Sequence, residues 1–392
     1  MGLTDSAGVE EGYPAAAEIH AKLKVIAEAD DRLRHFLPLP EDYEYPKDLD
    51  DLGRSRGESS YIAVVHADGD GTAQYMRSIG KRYGSAQQNR AYIEALREFS
   101  AGITATAQTA LQKTLEKLIV AIKGEKIQHP SPDAAPSIVP IKLKRSKRGK
   151  LLLAFRPIVF AGDDITFVSD GRIGLSLAIE YLHQFEASSK IFLGKLSGQE
   201  PTKYLTSSAG VAIVKSHYPF ARSYHLSEAL SRSAKEYRRK MGSGSFIDWH
   251  FASTGIVGEL AEIRETEYQV GAGSLTLRPV GVEGNLEEEV RAWPAIHRVI
   301  EDFQTSEVWT GRRNKLKALR SALREGPEAV ERFLTLYDLE RLPELRPGYH
   351  DFQKRGWHGR LCGYFDAIEL ADHFIPCSSK ENMAGTAASP QD

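Results

Sequence analysis

The hydrophobic residues follow two patterns, short continuous runs and repeats at helical spacing, which together predict a mixed fold of helices and strands. Residues 61–67 read YIAVVHA, an almost continuous apolar run that is typical of a strand buried on both faces. Residues 88–123 carry apolar side chains every three or four positions and predict one long helix. In chain order the patterns predict a strand at 61–67, helices at 72–82 and 88–123, two strands at 158–160 and 165–168, a helix at 172–185, a strand at 207–217, a helix at 221–239 and a strand at 245–251.

The order of these elements predicts a ferredoxin-like unit, because the first six follow one another as βαββαβ. A helical pattern at 15–36 and a proline- and charge-rich linker at 37–60 precede it, and helical patterns return after about residue 253. We therefore predict an α+β chain in four parts. They are an N-terminal helix and linker at 1–54, a ferredoxin-like domain at 55–255, a mostly helical domain at 256–376 and a disordered tail at 377–392.

Composition limits the possible classes of protein. The chain has 392 residues, 41% of them apolar and 27% charged, which is ordinary for a soluble globular protein. A formal net charge of -2 gives the whole chain no pull toward nucleic acid or membrane surfaces. Two cysteines argue against a disulfide framework and a four-cysteine zinc site. The polar, acidic N-terminus is unlike a signal peptide, and no apolar run is long enough to span a membrane, so we expect a cytoplasmic protein.

Two adjacent carboxylates lie in the tight turn between the strands at 158–160 and 165–168. We name the turn Ala161-Gly162-Asp163-Asp164 the AGDD turn. Neighbouring carboxylates repel each other, and a hard divalent cation such as Mg²⁺ would relieve the repulsion. Taken alone, the turn is equally compatible with an ordinary polar hairpin, because glycine and aspartate are common turn residues.

A second pair of carboxylates decides between these interpretations. Asp68 and Asp70 follow the strand at 61–67, in the sequence DGDG. The βαββαβ order places that strand beside the hairpin, so its end and the AGDD turn are expected to lie side by side. Four carboxylates at one sheet edge would be costly without a counter-ion. We therefore predict a metal site formed by these four residues, named here the carboxylate cluster: Asp68, Asp70, Asp163 and Asp164.

A run of basic residues precedes the hairpin. It contains Lys142, Lys144, Arg145, Lys147, Arg148 and Lys150. Such a run is usually a solvated loop, and contact with RNA phosphates or a nucleotide triphosphate is the functional alternative.

Four segments, in this order, resemble the palm domain of the large catalytic subunit of type III CRISPR effector complexes. They are YIAVVHADGDG, FAGDDITFV, SSAGVAIVKSHYPF and ALSRSAKEYRRKMGSGSFIDW, and the resemblance covers about residues 55–255. The C-terminal segments RRNKLKALRSALREG and GYFDAIELAD also resemble the end of that family. The fold is shared more loosely with GGDEF diguanylate cyclases and class III adenylyl cyclases.

The resemblance has departures. The family's hairpin usually reads Gly-Gly-Asp-Asp, and Ala161 replaces the first glycine. We see no His-Asp pair typical of an HD nuclease before the palm, and too few cysteines for the family's zinc module. We therefore expect a reduced form of the large subunit.

The resemblance implies ATP as substrate and two Mg²⁺ or Mn²⁺ ions as cofactors. A ribose hydroxyl would attack the α-phosphate of another ATP, and repetition and ring closure would give a cyclic oligoadenylate. Asp68, Asp163 and Asp164 would be the catalytic metal ligands, with Asp70 as a further ligand or a residue that holds the turn. Nucleotide-binding positions would be the backbone amides of Gly69, Gly71 and Thr72, the side chain of Lys235, and Ser207 and Ser208 near the base.

Several alternatives stay open. The chain is expected to act in an RNA-guided complex with crRNA, target RNA and other effector subunits, or alone as a homodimer that makes a cyclic mono- or dinucleotide. It could also be a scaffold subunit that binds nucleotide without turnover, although the intact carboxylate cluster argues against this. A viral-type polymerase is disfavoured, because no fingers region is visible in the sequence.

Overall fold

A computed structural model describes residues 3–4, 10–11, 16–53, 60–197, 204–252, 258–283 and 290–377. The predicted disordered tail and the predicted domain boundaries near residues 55 and 255 fall largely outside these ranges, so the four-part division stays a prediction. Contacts divide the chain into two compact units, Met1–Asp42 and Tyr43–Asp392. Each is described by itself.

The first unit contains β1 (Leu3–Thr4), β2 (Glu10–Glu11), α1 (Ala17–Lys24) and α2 (Ile26–Phe36). The helical pattern at 15–36 is thus divided into two helices. The two strands form an antiparallel pair.

The first part of the second unit contains β3 (Tyr43–Glu44), a 3₁₀ helix (Leu49–Asp51), β4 (Tyr61–Asp70), α3 (Thr72–Arg82), a 3₁₀ helix (Ala86–Gln88), α4 (Asn89–Ala121), β5 (Ile122–Lys123), β6 (Lys126–Ile127), β7 (Ile141–Lys142), β8 (Leu151–Leu152), β9 (Phe155–Ala161), β10 (Asp164–Asp170), α5 (Gly174–Ser197), β11 (Thr206–Lys215), α6 (Phe220–Met241) and β12 (Phe246–Phe251). The remainder contains α7 (Leu260–Tyr268), β13 (Gln269–Val270), β14 (Gly273–Ser274), β15 (Val280–Gly281), α8 (Trp293–Thr305), α9 (Arg313–Glu325), α10 (Pro327–Leu336), α11 (His350–Arg355), β16 (Trp357–His358), β17 (Leu361–Cys362) and α12 (Phe365–Leu370).

A six-stranded sheet with the order β15-β12-β11-β4-β10-β9 is the centre of the second unit. β4 lies between β10 and β11 and is antiparallel to both. The predicted ferredoxin-like arrangement and the mixed α/β class are therefore confirmed. Two predicted boundaries were too short, since β4 continues through Asp70 and α5 continues to Ser197.

The two faces of β4 pack against different helices, because successive side chains of a strand point to opposite faces. Ile62 and Val64 pack with Leu226 and Leu230 of α6 in one buried cluster. On the other face, Gly174 at the start of α5 lies so close to Ala63 that an added Cβ would be 2.1 Å from the alanine Cβ. Burial on both faces explains the continuous apolar run in the sequence.

The helical C-terminal part is held to the sheet by a buried ionic network around Arg278. This guanidinium is 2.9 Å from Asp366, 3.2 Å from Glu369 and 2.6 Å from the carbonyl oxygen of Trp249 on β12. Arg278 itself is almost fully buried. Because both acids belong to the region of α12, the network fixes this helix against the end of the sheet.

Parts of the predicted linker and the basic run pack together. Leu52, within the predicted linker, is buried in the core cluster beside β4. Lys144 forms a 2.8 Å ion pair with Asp51, and Arg145 pairs with Glu125. At least these two positions of the basic run have local acidic partners, which favours a structural role over contact with a polyanion.

β9 is the outer strand of the sheet. It carries Pro157, which is tolerated at a sheet edge because proline lacks an amide hydrogen. The pairing of β9 with β10 shifts register between Thr166 and Phe167, and Ile158 and Val159 are 41% and 42% exposed. In the described residues, no helix is both long enough and apolar enough to cross a membrane.

Candidate active site

The end of β4 and the AGDD turn lie side by side in the sheet. Ala67 of β4 is opposite Ile165 of β10, and the next residues toward the turn are Asp68 and Asp164. The turn itself joins β9 to β10. The sheet thus brings together two pairs of aspartates that are far apart in sequence, as the βαββαβ order predicts. All four belong to the carboxylate cluster, although Asp68 and Asp70 lie within β4 and not after it.

The AGDD turn needs only one of the two glycines of the usual family pattern. Gly162 has a φ of 69°, a conformation that residues with a side chain rarely adopt. Ala161, by contrast, is the last residue of β9 and is exposed. The departure from Gly-Gly-Asp-Asp is therefore at a position where the structure accommodates a methyl group.

The side chain of Asp163 packs directly on the backbone of Gly69. A Cβ added at residue 69 would be 2.4 Å from Oδ2 of Asp163, so any side chain there would displace this carboxylate. Thr72, the first residue of α3, hydrogen bonds to Asp163. Burial raises the pKa of Asp163 above its usual range, although the Thr72 contact partly opposes the shift. The glycine between Asp68 and Asp70 is thus required by the close approach of the AGDD turn.

Asp70 is the most deeply buried member of the cluster, at 1% exposure. Its Oδ2 accepts hydrogen bonds of 2.8 Å from Ser208 and 3.3 Å from Thr206, both on β11. Its Oδ1 is buried with no hydrogen-bond partner. Burial raises the pKa of this carboxyl group, and the Ser208 bond and the nearby cations lower it. An orphaned, buried carboxylate oxygen is costly, and a cation would satisfy it.

Asp164 and Asp68 share a hydrogen bond across the two central strands. The pKa of Asp164 is raised to about 7, mainly by burial and further by the hydrogen bond and the negative charge of Asp68. Asp164 is therefore only partly ionised at neutral pH, which is the expected response of a buried carboxyl group close to other carboxylates.

Two cations from α6 face the cluster. The ammonium group of Lys235 contacts Oδ2 of Asp68, donates a 2.9 Å hydrogen bond to the carbonyl oxygen of Gly69, and is 3.8 Å from Oδ1 of Asp70. Arg238, one turn later, has its Nε 4.0 Å from Oδ2 of Asp70. Lys235, predicted to bind phosphate, is therefore at the cluster, where it pairs with the carboxylates.

The predicted base-binding serines are buried in the structure. Ser208 and Ser207 are both 0% exposed. Ser208 donates to Asp70, and Ser207 donates a 3.0 Å bond to the carbonyl oxygen of Asp68. Their observed contacts support the cluster, and contact with a nucleobase would require a different arrangement of β11.

The predicted phosphate-binding amides are divided between two elements. Gly71 is the N-cap of α3 and Thr72 is its first residue, and no side chain caps this helix end. The first amides of a helix lack partners within the helix and favour anions. Gly69 is inside β4, opposite Ser207 of β11. Two of the three amides are thus at a helix end that could receive a phosphate group.

Tyr181 and Arg238 are site residues that the sequence patterns did not indicate. The hydroxyl group of Tyr181 on α5 is buried without a hydrogen-bond partner. Burial, followed by the charges of Asp163 and Asp164, raises its pKa well above the usual range, so the hydroxyl stays a neutral donor beneath the cluster. In the sequence, Tyr181 has the spacing of an ordinary core residue of a helix, and no local motif indicates a role at the site.

The donor set suits a hard divalent cation, because all four members of the cluster are carboxylates and one oxygen of Asp70 is orphaned. As the side chains are placed, no three His, Cys, Asp or Glu residues within the described ranges are arranged to hold a metal ion. Lys235 contacts one of the oxygens that a metal would use. The residues fit a metal by their chemistry, and binding would require the ammonium group to move.

Residues 61–242 match the family model described as "Cas10/Cmr2, second palm domain". Among solved structures, the chain is similar to Csm1 from T. onnurineus, with 14% identity and a TM-score of 0.45 over 84% of this chain and 40% of that chain. It is also similar to a Csm1–Csm4 cassette in complex with one ATP, at 15% identity, a TM-score of 0.38 and coverage of 83% and 38%. A third is the cassette in complex with cA4, at 14% identity, a TM-score of 0.33 and coverage of 84% and 40%.

The chain thus spans about 40% of the length of the Csm1 chain. No curated protein matches it.

Proposed function

We propose that this chain, whose residues 61–242 match the family model of the Cas10/Cmr2 second palm domain, is a metal-dependent nucleotidyltransferase that converts ATP to a cyclic oligoadenylate-type product in CRISPR-type antiviral defence. The observation that supports this function is the convergence of the carboxylate cluster at the end of β4, beside the uncapped N-terminus of α3. An intact set of acids next to an anion-binding helix end is the pair of features that nucleotidyl transfer needs.

In the proposed reaction, Asp68, Asp163 and Asp164 hold the divalent cations, with Asp70 behind them. When bound, the cations neutralise phosphate charge and favour ionisation of the attacking hydroxyl group. The ribose hydroxyl of one nucleotide bonds to the α-phosphorus of the next, the bond to the β-phosphate breaks, and pyrophosphate leaves while the hydroxyl proton passes to solvent. The amides of Gly71 and Thr72 orient the phosphates at the start of α3.

Arg238 and the hydroxyls of β11 keep the inner carboxylate in place during this reaction. Ser208 and Thr206 donate to Asp70, and the guanidinium of Arg238 is 4.0 Å from it. These contacts orient Asp70 from behind, as supporting groups do at metal sites.

The proposal includes partners and a location. Candidate partners are crRNA, target RNA and other subunits of an RNA-guided effector, and the chain would act with them in the cytoplasm. A homodimer is the expected assembly if the chain works alone.

The test is product formation by the purified full chain. Radiolabelled ATP is incubated with Mg²⁺ or Mn²⁺, alone and with candidate crRNA and target RNA, and the products are resolved by chromatography. We expect oligoadenylate products from the wild type and none from the Asp163→Asn/Asp164→Asn variant. No product under any condition would favour a nucleotide-binding scaffold, and product from the double variant would place the chemistry elsewhere.

A further inference from the structure

One ammonium group lies between the two aspartates of β4. Nζ of Lys235 contacts Oδ2 of Asp68 and donates a 2.9 Å hydrogen bond to the carbonyl oxygen of Gly69. It lies 3.8 Å from Oδ1 of Asp70. The side chain of Lys235 is 21% exposed and that of Asp68 is 34% exposed, so the contact is at the solvent-facing side of the cluster. Lys235 is thus the counter-ion that the described structure supplies to Asp68.

A single ammonium neutralises the cluster only in part. Oδ1 of Asp70 stays buried without a hydrogen-bond partner, because Nζ of Lys235 is 3.8 Å away from it and in closer contact with Asp68. A divalent cation carries twice the charge and binds several oxygens at once, so it compensates the same carboxylates more fully. Oδ2 of Asp68 cannot bind the ammonium group of Lys235 and a divalent cation equally closely at the same time, so the two cations compete for it.

The surroundings allow the ammonium group to leave without stranding the buried aspartate. Asp70 retains its bonds from Ser208 and Thr206 and its pairing with Arg238 when Lys235 moves. Lysine also has a flexible stem and a compact charge, which suits a group that changes partner. The free end of α3 beside the cluster is where an anionic partner for the released ammonium would bind.

We propose that Lys235 is an internal counter-ion that competes with the divalent cation for Asp68 and Asp70, and that nucleotide phosphates accept the ammonium when it is displaced. Metal and nucleotide then bind in a coupled manner, and the free protein holds metal weakly. This inference rests on the proposed function, because it concerns the same site. Its prediction differs from that of the proposed function, because removal of the positive charge of Lys235 is expected to strengthen metal binding.

The experiment measures Mn²⁺ binding to the full chain by electron paramagnetic resonance, without nucleotide. We expect Lys235→Met to bind Mn²⁺ about tenfold more tightly than the wild type, within the usual range of coupling between two ligands. Lys235→Arg keeps the positive charge and is expected to bind Mn²⁺ as weakly as the wild type. Lys240→Met, an exposed position on the same helix, is the matched control and is expected to change nothing.

The outcomes separate this inference from the proposed function. Tighter Mn²⁺ binding by Lys235→Met that is lost when Asp68→Asn is added supports the competition at this site. Unchanged or weaker binding by Lys235→Met, with a normal circular dichroism melt, overturns it. Tighter binding together with no product from ATP in the wild type leaves the competition established and the nucleotidyltransferase refuted. No Mn²⁺ binding by any variant, Lys235→Met included, overturns the competition, and the ATP assay then decides on the nucleotidyltransferase separately.

Discussion

Asp164 lies beside Asp68 across the two central strands, and the carboxyl groups share a hydrogen bond. The pKa of Asp164 is raised to about 7 by burial and by this neighbour. In the absence of metal, the cluster therefore stores electrostatic repulsion whenever the pair is fully ionised.

The Asp164→Asn variant is expected to be more stable than the wild type at pH 8 without metal, and inactive with it. The amide removes one negative charge, so the melting temperature is expected to rise by about 1–2 °C, the effect of about 1 kcal/mol in a chain of 392 residues. Product formation is expected to fall more than about 100-fold, since even supporting residues of metal sites cost about 10–100-fold. Calorimetry and the ATP assay measure the two effects. Asp133→Asn, at an exposed position, is the control, and a variant no more stable than wild type would contradict the repulsion.

Ser208→Ala is expected to destabilise the fold through Asp70. The change removes the 2.8 Å hydrogen bond and leaves a buried carboxylate less satisfied, which costs about 1–3 kcal/mol. Urea unfolding measures this loss. Ser321→Ala on α9 removes a hydroxyl from an exposed position and is expected to cost much less. Equal losses for the two variants would show that the bond to Asp70 contributes nothing.

The acid Glu186 on α5 is expected to make stability fall as the pH rises from about 5 to about 8. Burial, followed by the adjacent Glu283, raises its pKa from the usual 4.5 to about 8. Between these values the folded state holds a proton that the unfolded chain has lost, so the folded state binds more protons and raising the pH favours unfolding.

The Glu186→Gln variant mimics the protonated form and is expected to lose this part of the pH dependence. Urea unfolding at pH 5, 6.5 and 8 compares it with the wild type. Glu265→Gln, at an exposed site on α7, should retain the wild-type slope. A Glu186→Gln variant with the full wild-type slope would show that another group titrates.

Arg278→Met is expected to be strongly destabilising. It leaves Asp366 and Glu369 buried without their guanidinium, a change that typically costs about 3–5 kcal/mol. Arg320→Met is the matched control, because Arg320 also pairs with Glu369 but is half exposed, at 3.4 Å. Urea unfolding measures the free energy of unfolding of both variants. If Arg278→Met lowers it no more than Arg320→Met does, the buried network does not stabilise the fold.

The sequence was sufficient for the fold of the central sheet. The apolar run of β4 and the two strands around the AGDD turn carry local signals, and the βαββαβ order leaves few ways to pair them. For the same reason, the convergence of Asp68 with Asp164 could be predicted from elements that are distant in the chain. The ends of β4 and α5 were placed too early, because a polar residue follows each predicted end, Asp68 in β4 and Glu186 in α5.

The contacts that surround the cluster could not be predicted in the same way. Tyr181 and Arg238 reach it from helices whose side-chain directions depend on packing and not on a motif. The partners of Lys144 and Lys235 are likewise distant acids. A basic residue looks solvated in the sequence unless the fold that supplies its partner is already known.

Pro157 has a consequence for the behaviour of the chain in solution. An exposed sheet edge with apolar residues such as Ile158 and Val159 is a template on which other chains can extend the sheet. At Pro157 that edge offers no amide hydrogen, and the register shift in the same strand pair makes it irregular. A proline in this outer strand therefore disfavours extension of the sheet by another chain beside the hairpin that carries the AGDD turn.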